Sequence, residues 1–264
     1  MTTWRMVWSG ASDGPTNMAV DEAVLWAVAS QEAPPTLRLY AWEPACLSLG
    51  RGQRADDVDI EALEVAGYDL VRRPTGGRAI LHIDELTYSV IAPEREPRVA
   101  GGVVESYRRL SAGLVRGLEL LGVRHVEADE RVDNRGAEGA VCFEVPSDYE
   151  IAVGGRKLVG SAQMRARGVV LQHGAVSLHG DIARICPLLR GHPDPARVRS
   201  RATTVEEALG RRVGWGEAAE ALMEGFEEAL NLRLQPGELT AREIDAAEEL
   251  REEKYARGAW TMTI

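Results

Sequence analysis

The chain has 264 residues, 45% hydrophobic and 27% charged, which is the make-up of a globular protein of one large domain or one and a half. A formal charge of −10 sets nucleic-acid binding low, because such binders are basic overall. No apolar run approaches the roughly 20 residues of a membrane span and the opening "MTTWRMVWSGASDG" lacks a signal-peptide core, so the expected location is cytoplasmic.

In chain order, residues 17–30 have the apolar spacing of a helix, with Asp21 and Glu22 near its N-terminus where the helix dipole favours them. Strands are expected at 35–43 and 45–53, and a short helix at 59–68 that ends at Gly67. Residues 69–82 read as strand, turn, strand, followed by a strand at 85–93 and an amphipathic helix at 103–123. The polar stretch 124–140 predicts a long connection of the kind that is often functional. Strands return at 148–153, 156–165 and 169–178, and helices at 204–231 and 240–256. This order predicts an α+β fold with a mixed, largely antiparallel sheet flanked by helices. The expected division is a catalytic domain over 1–235 with a helical extension over 236–264 packed on it. No GxGxxG and no phosphate-binding loop is present, which lowers dinucleotide and nucleotide chemistry.

Of the 31 basic residues only Lys157 and Lys254 are lysines. Lys157 lies in "DYEIAVGGRKLVGSAQ", where Gly154-Gly155 between alternating segments predicts a hairpin. That register sets Val153 opposite Arg156, Ala152 opposite Lys157 and Tyr149 opposite Gly160. Lys157, Val159 and Ser161 then share one face, with Glu150 diagonal to the lysine. Small neighbours leave room for a molecule to approach the ammonium. An exposed surface lysine fits the same spacing, although arginine serves that purpose everywhere else but Lys254.

"RRPTGGRAILH" forms a glycine loop whose N–H groups and flanking arginines suit an anion or a carbonyl oxygen, and it fits a plain hairpin loop as well. The cysteines Cys46, Cys142 and Cys186 are odd in number and lack CxxC spacing, which argues against a disulfide framework and a zinc site. Cys46 and Cys186 read as packing residues. Cys142 reads either as apolar filler or, at the mouth of the lysine hairpin, as a thiolate nucleophile. His82 and His173 suit structural roles, and His82 also suits acid/base or hydrogen-bonding work.

Together, "RRPTGGRAILH…ELTYSVI", "VCFEVPSDYE" and "GGRKLVGSAQMRARGVVLQHGAVSL" resemble the biotin/lipoate protein ligase superfamily, in its lipoate-biosynthesis octanoyltransferase branch. The resemblance runs over nearly the whole chain and implies the biotin/lipoate protein ligase catalytic fold. It implies transfer of an octanoyl group from octanoyl-acyl carrier protein to a lysine of a lipoyl domain, with the glycine cleavage H protein as acceptor. Cys142 matches the cysteine that carries the acyl thioester and Lys157 the lysine that activates it. Arg73, Thr75, Gly76, Gly77, Arg78 and His82, with Gly160, Ser161, Ala162, His173 and Gly174, match segments that line the acyl site. No cofactor and no metal are implied. The family has His-Asp in direct succession, whereas here the run is His82-Ile83-Asp84-Glu85, which displaces the acid.

Thioester-to-amine transfer is downhill, consistent with the missing phosphate motif. By alternation, Leu158, Val159, Val169 and Leu171 are the expected walls of an acyl slot. Arg72, Arg78, Arg165 and Arg167 are the expected basic patch for acidic protein partners. An ATP-dependent lipoate–protein ligase, or a lipoyl/octanoyl amidotransferase, shares the loop and the lysine. A non-catalytic carrier-binding protein needs neither Cys142 nor Lys157.

Overall fold

A computed structural model describes residues 2–129 and 150–263. The elements in chain order are β1 (Thr2–Ser12), α1 (Gly14–Ala29), β2 (Thr36–Trp42), β3 (Cys46–Leu49), α2 (Ile60–Ala66), β4 (Asp69–Arg72), β5 (Ile80–His82) and β6 (Glu85–Pro93). There follow α3 (Val103–Leu120), β7 (Val126–Asp129), β8 (Glu150–Val153), β9 (Arg156–Ala166) and β10 (Val169–Ser177). A 3-10 segment (Ile182–Leu188), α4 (Pro195–Arg201), α5 (Val205–Leu209), α6 (Trp215–Leu230), β11 (Leu232–Gly237), α7 (Ala241–Leu250) and α8 (Gly258–Thr261) complete the chain.

Most of these elements lie where periodicity places them, and the exceptions have physical causes. Sequence reading missed β1, where Arg5 interrupts the apolar run Trp4, Met6 and Val7. Arg5 is nonetheless buried, because its guanidinium forms a two-pronged pair with Glu243 at 2.6 and 2.8 Å. The single helix expected over 204–231 is broken in two, since Gly210, at φ +69°, ends α5 and α6 begins only after Gly214. Part of the expected 124–140 connection is strand β7, and residues 130–140 lie outside the described residues.

The large sheet runs β11-β1-β2-β6-β10-β9-β8-β7, parallel at β11-β1-β2 and antiparallel from β2 onward. Its mixed, largely antiparallel form agrees with the sequence reading. A small sheet, β4-β3-β5, packs beside it. β4 and β5 therefore do not form a hairpin: both pair with β3, one parallel and one antiparallel. The Pro74–Gly77 loop crosses over β3 instead of turning between partners.

Helices α3 and α6 cover one face of the large sheet around Tyr88, Leu114, Leu118 and Phe226. Helix α1 covers the other, and it is apolar around nearly its whole circumference because α7 packs on its outer side. Each fully buried Leu, Val or Phe here contributes roughly 1.5–3 kcal/mol. β11 spans residue 235, and α7 is tied to β1 by the Arg5–Glu243 pair.

Candidate active site

The lysine hairpin forms as read for its first two pairs, Val153–Arg156 and Ala152–Lys157. The ladder then slips, so that Ile151 lies opposite Val159 and Leu158 is the extra residue of a β-bulge. Residues directly opposite one another share a face, and consecutive residues 151 and 152 lie on opposite faces. Lys157 and Val159 therefore lie on opposite faces, which corrects the expected common face. Leu158 and Val159 both join the α3/α6 core, while Lys157 shares its face with Gly160 and Ala162. Lys157 is 3% exposed, so it is no surface lysine, and its carbonyl accepts from Thr203 N at 2.9 Å. Tyr149 and the Glu150 side chain lie outside the described residues.

On the same face, a cavity opens between the two sheets. Its β9–β10 wall is Gly160, Ser161, Ala162, His173, Gly174 and Ala175. Opposite stand Arg73, Gly77, Ile80 and His82, and the end is closed by Met18, Tyr40, Trp42 and Thr87. The loop is held from inside. Arg73 donates to the carbonyls of Ser48, Gly76 and Arg78 at 2.7–2.9 Å. Gly50 is needed where the chains cross, because a Cβ there would run into the Gly77 carbonyl.

Two buried hydrogen-bond chains reach the cavity. In the first, Asp21 on α1 is fully buried and accepts from Arg38 at 2.8 Å, Ser89 at 2.9 Å, Tyr40 at 3.0 Å and His173 Nδ1 at 3.1 Å. Burial alone would raise its pKa, but the His173 hydrogen bond and the Arg38 charge outweigh that and hold it below the usual carboxylate value. Asp21 is therefore ionised, His173 donates from Nδ1, and its Nε2 meets the Thr75 hydroxyl at 2.6 Å.

In the second chain, Arg73 donates to Ser48 Oγ at 2.9 Å, and Ser48 bonds His82 Nε2 at 2.8 Å. His82 Nδ1 faces Glu85 Oε1 at 3.4 Å, and Trp42 stacks on the imidazole with ring centres 4.0 Å apart. Thr87 accepts from Trp42 at 2.8 Å and donates to Glu85 at 2.6 Å. Burial, then the Arg73 charge and His173, push the His82 pKa well down, so His82 is neutral.

Eight of the expected acyl-site residues line the cavity: Arg73, Gly77, His82, Gly160, Ser161, Ala162, His173 and Gly174. Thr75, Gly76 and Arg78 hold it through His173 and Arg73. Other expectations are overturned. Leu158, Val159, Val169 and Leu171 are spent in the two cores and do not reach the cavity. Arg72 is buried and binds the carbonyls of Gly50, Gln53 and Thr261, so it cannot serve a docking patch. Arg165 is occupied with the Val99–Gly102 carbonyls, while Arg167 is exposed over Trp26. The acid beside His82 is Glu85; Asp84 turns to Arg184 at 2.8 Å. Cys142 lies outside the described residues.

Sequence reading missed Trp42, Ile80, Thr87, Asp21 and Glu85. Asp21 carried a signal, since it sits at helical spacing within the buried stripe of Met18, Leu25 and Val28.

A mixed sheet whose buried lysine hairpin and arginine–glycine loop close on a mainly apolar slot defines the biotin/lipoate protein ligase class. Lipoate-protein ligase A, solved with ATP bound, superposes with TM-score 0.84 at 25% identity over 99% of both chains. A T. acidophilum protein solved with bound lipoic acid superposes with TM-score 0.83 at 25% identity over all of both chains. Residues 13–227 match the lipoyl protein ligase A/B catalytic domain. The octanoyltransferase LipM of Kyrpidia tusciae is 50% identical over 98% of each chain. That of Bacillus subtilis is 40% identical over 98% of this chain and 97% of its own. The chain belongs to the lipoyl protein ligase A/B catalytic family, in its octanoyltransferase branch. It is an enzyme, an acyltransferase of lipoate biosynthesis. No helix among the described residues is long and apolar enough to cross a membrane.

Proposed function

We propose that this enzyme takes the octanoyl group from octanoyl-acyl carrier protein and passes it to a lysine of a lipoyl domain, with the glycine cleavage H protein as acceptor. Cys142 carries the acyl group as a thioester between the two steps, and Lys157 activates it. The observation that supports this best is Lys157 itself, one of two lysines, buried on the sheet face that forms the acyl cavity. A nearby ammonium favours the thiolate over the thiol, and the thiolate is the nucleophile. The octanoyl chain enters between Gly160–Ala162 and Gly77, against Met18 and Ile80, with its carbonyl toward the lysine hairpin. Loop N–H groups near Gly76 and Gly77 are the candidate donors to the tetrahedral oxyanion. The work is done in the cytoplasm, consistent with the buried free thiols Cys46 and Cys186.

Intact-mass measurement after mixing with octanoyl-acyl carrier protein tests this reading. The expected result is one octanoyl group on Cys142, absent in Cys142→Ala. The lipoate-protein ligase A structure with ATP bound favours a second reading, an ATP-dependent ligase on this fold. Turnover only with ATP and free lipoate would establish it and sink the thioester mechanism.

A further inference from the structure

The second of the two lysines, Lys254, lies in a π-helical turn (Arg251–Tyr255) that carries the chain from α7 to α8. Its ammonium donates to Glu22 on α1 at 2.6 Å and sits 4.3 Å from the ring centre of Trp260 and 4.8 Å from that of Tyr255. The two rings meet edge to face with centres 6.0 Å apart, and the Tyr255 hydroxyl donates to the same Glu22 oxygen. A compact ammonium with three donors suits a place between one carboxylate and two aromatic rings. Arg251 adds a second tie to α1, through Asp13 at 2.7 Å and Thr16 at 3.0 Å. The turn is therefore fixed to α1, and it sets where Trp260 lies.

Trp260, in α8, grips Arg72 from behind the acyl loop. Its indole N–H donates to the Arg72 carbonyl at 2.8 Å. In the other direction, the Arg72 guanidinium donates to the carbonyls of Trp260 and Thr261 at 2.8–3.2 Å. The same guanidinium also donates to the carbonyls of Gly50, Arg51 and Gln53 at 2.6–3.2 Å. Arg72 is 1% exposed, and every one of these partners is a backbone carbonyl. A buried guanidinium needs acceptors for its donors, so the two chain segments hold this cation jointly and through it hold each other. The Gly50–Gln53 turn in its turn supports the acyl loop. Arg51 N donates to the Thr75 carbonyl at 2.8 Å, Arg73 N donates to the Leu49 carbonyl at 2.9 Å, and Gly50 lies against the Gly77 carbonyl. Thr75 reaches His173, and Gly77 lines the cavity. An unbroken series of contacts thus runs from Lys254 through Trp260, Arg72 and the Gly50–Gln53 turn to the wall of the acyl slot.

We propose that Trp260 is a positioning residue for acyl binding: through Arg72 it keeps the Thr75–Gly77 loop in the conformation that closes on the acyl chain. It touches no substrate. It acts on the share of free enzyme whose loop is ready to bind, and binding loops belong to the low-stability end of a fold, where that share is easily moved. When the share falls, the apparent affinity for the acyl donor falls by the same factor. A bound chain draws the loop back into place, so the maximal rate is kept. One net hydrogen bond is worth a factor of about 2–10, and a buried carbonyl left without its partner costs more, which sets the expected effect of losing the indole at about 10-fold. The identity of the donor rests on the octanoyltransferase reading above; the hold of Trp260 on the loop does not.

Two measurements on the full chain test this, with Trp260→Ala, which removes the indole, and Trp260→Phe, which keeps a ring for Lys254 but has no N–H to donate. In Trp260→Ala, amide hydrogen exchange read by mass spectrometry is expected to quicken by about 10-fold over residues 49–53 and 73–78, with α3 and α6 protected as in wild type. In steady state, the KM for octanoyl-acyl carrier protein is expected to rise by about 10-fold, with kcat and the KM for the lipoyl domain within about 3-fold of wild type. Trp260→Phe is expected to show the same two changes to a smaller extent. A merely structural role gives another pattern, because loss of folded enzyme lowers the maximal rate at unchanged KM. That pattern in Trp260→Phe, an unchanged donor KM in both variants, or faster exchange confined to residues 251–263 overturns the proposal. Failure of the octanoyltransferase reading looks different: wild-type enzyme then transfers nothing from octanoyl-acyl carrier protein, and hydrogen exchange alone decides whether Trp260 holds the loop.

Discussion

Replacing Asp21 with asparagine would remove one negative charge from the inner core and leave Arg38 in place. The Arg38 guanidinium is 1% exposed and bonds Asp21 at 2.8 Å, with Asn17 and Ser9 as its other partners. Those partners are neutral, so the variant holds an uncompensated buried cation, for which the cost is about 3–5 kcal/mol. At roughly 2–4 °C per kcal/mol, the melting temperature should fall by ~6–20 °C. Urea unfolding followed by tryptophan fluorescence gives the free energy directly. Asp21→Asn combined with Arg38→Met should recover much of the loss, because the stranded charge is gone. The pH dependence has a fixed sign. The Asp21 pKa is lower in the folded chain than in the unfolded one, so its contribution is present above the unfolded value of about 3.9 and is lost as pH falls through the lower folded value. The gap between wild type and variant should therefore close in acid. A single variant within about 1 kcal/mol of wild type at neutral pH would refute the account of this core as a charge-compensated network.

Gly50→Ala should destabilise the protein by about 1–3 kcal/mol and displace the Gly77 loop, because the new methyl meets the Gly77 carbonyl; an unchanged urea midpoint would contradict this crossing. Lys157→Arg keeps the charge but enlarges a buried side chain on the cavity face, so acyl transfer should drop by about 10²-fold or more in a steady-state assay. Glu85→Gln has a stability signature. A carboxyl raised to about 8 binds its proton more tightly folded than unfolded, so it costs stability increasingly as pH rises from the unfolded value near 4.3. Relative to wild type, Glu85→Gln should thus be more stable at about pH 9 than at about pH 5 by urea titration; a pH-independent difference would count against the buried acid.

Much of the site was legible because its signals are local. Gly154-Gly155 fixes a hairpin, and the pairing of Ala152 with Lys157 follows from counting back from that turn. The Arg73–Gly77 loop and the "GSAQ" and "HGAV" segments were recognisable as strings, and they line one cavity. What failed was any step that carried alternation past an irregularity. Counting from the turn, Lys157 and Val159 share a face; the bulge at Leu158 moves the lysine to the other one. The same rule sent Val169 and Leu171 to the acyl slot, although an apolar residue on a strand is equally content against α1.

By itself, then, the sequence determined the strand and helix order, the hairpin and the residue types of the site, because turn chemistry and periodicity act over a few residues. Only the tertiary structure decided which charges are buried and what they meet. Asp21 and His173 lie 152 positions apart and Arg5 and Glu243 lie 238 apart, and they are brought together by packing of α1 on the sheet and of α7 on α1. It also decided that Glu85, not Asp84, faces His82: Asp84 sits at φ +53°, which directs its carboxylate outward to Arg184 and leaves the next residue to fill the interior. No spacing rule contains that choice, since it depends on a backbone turn held by partners a hundred residues away.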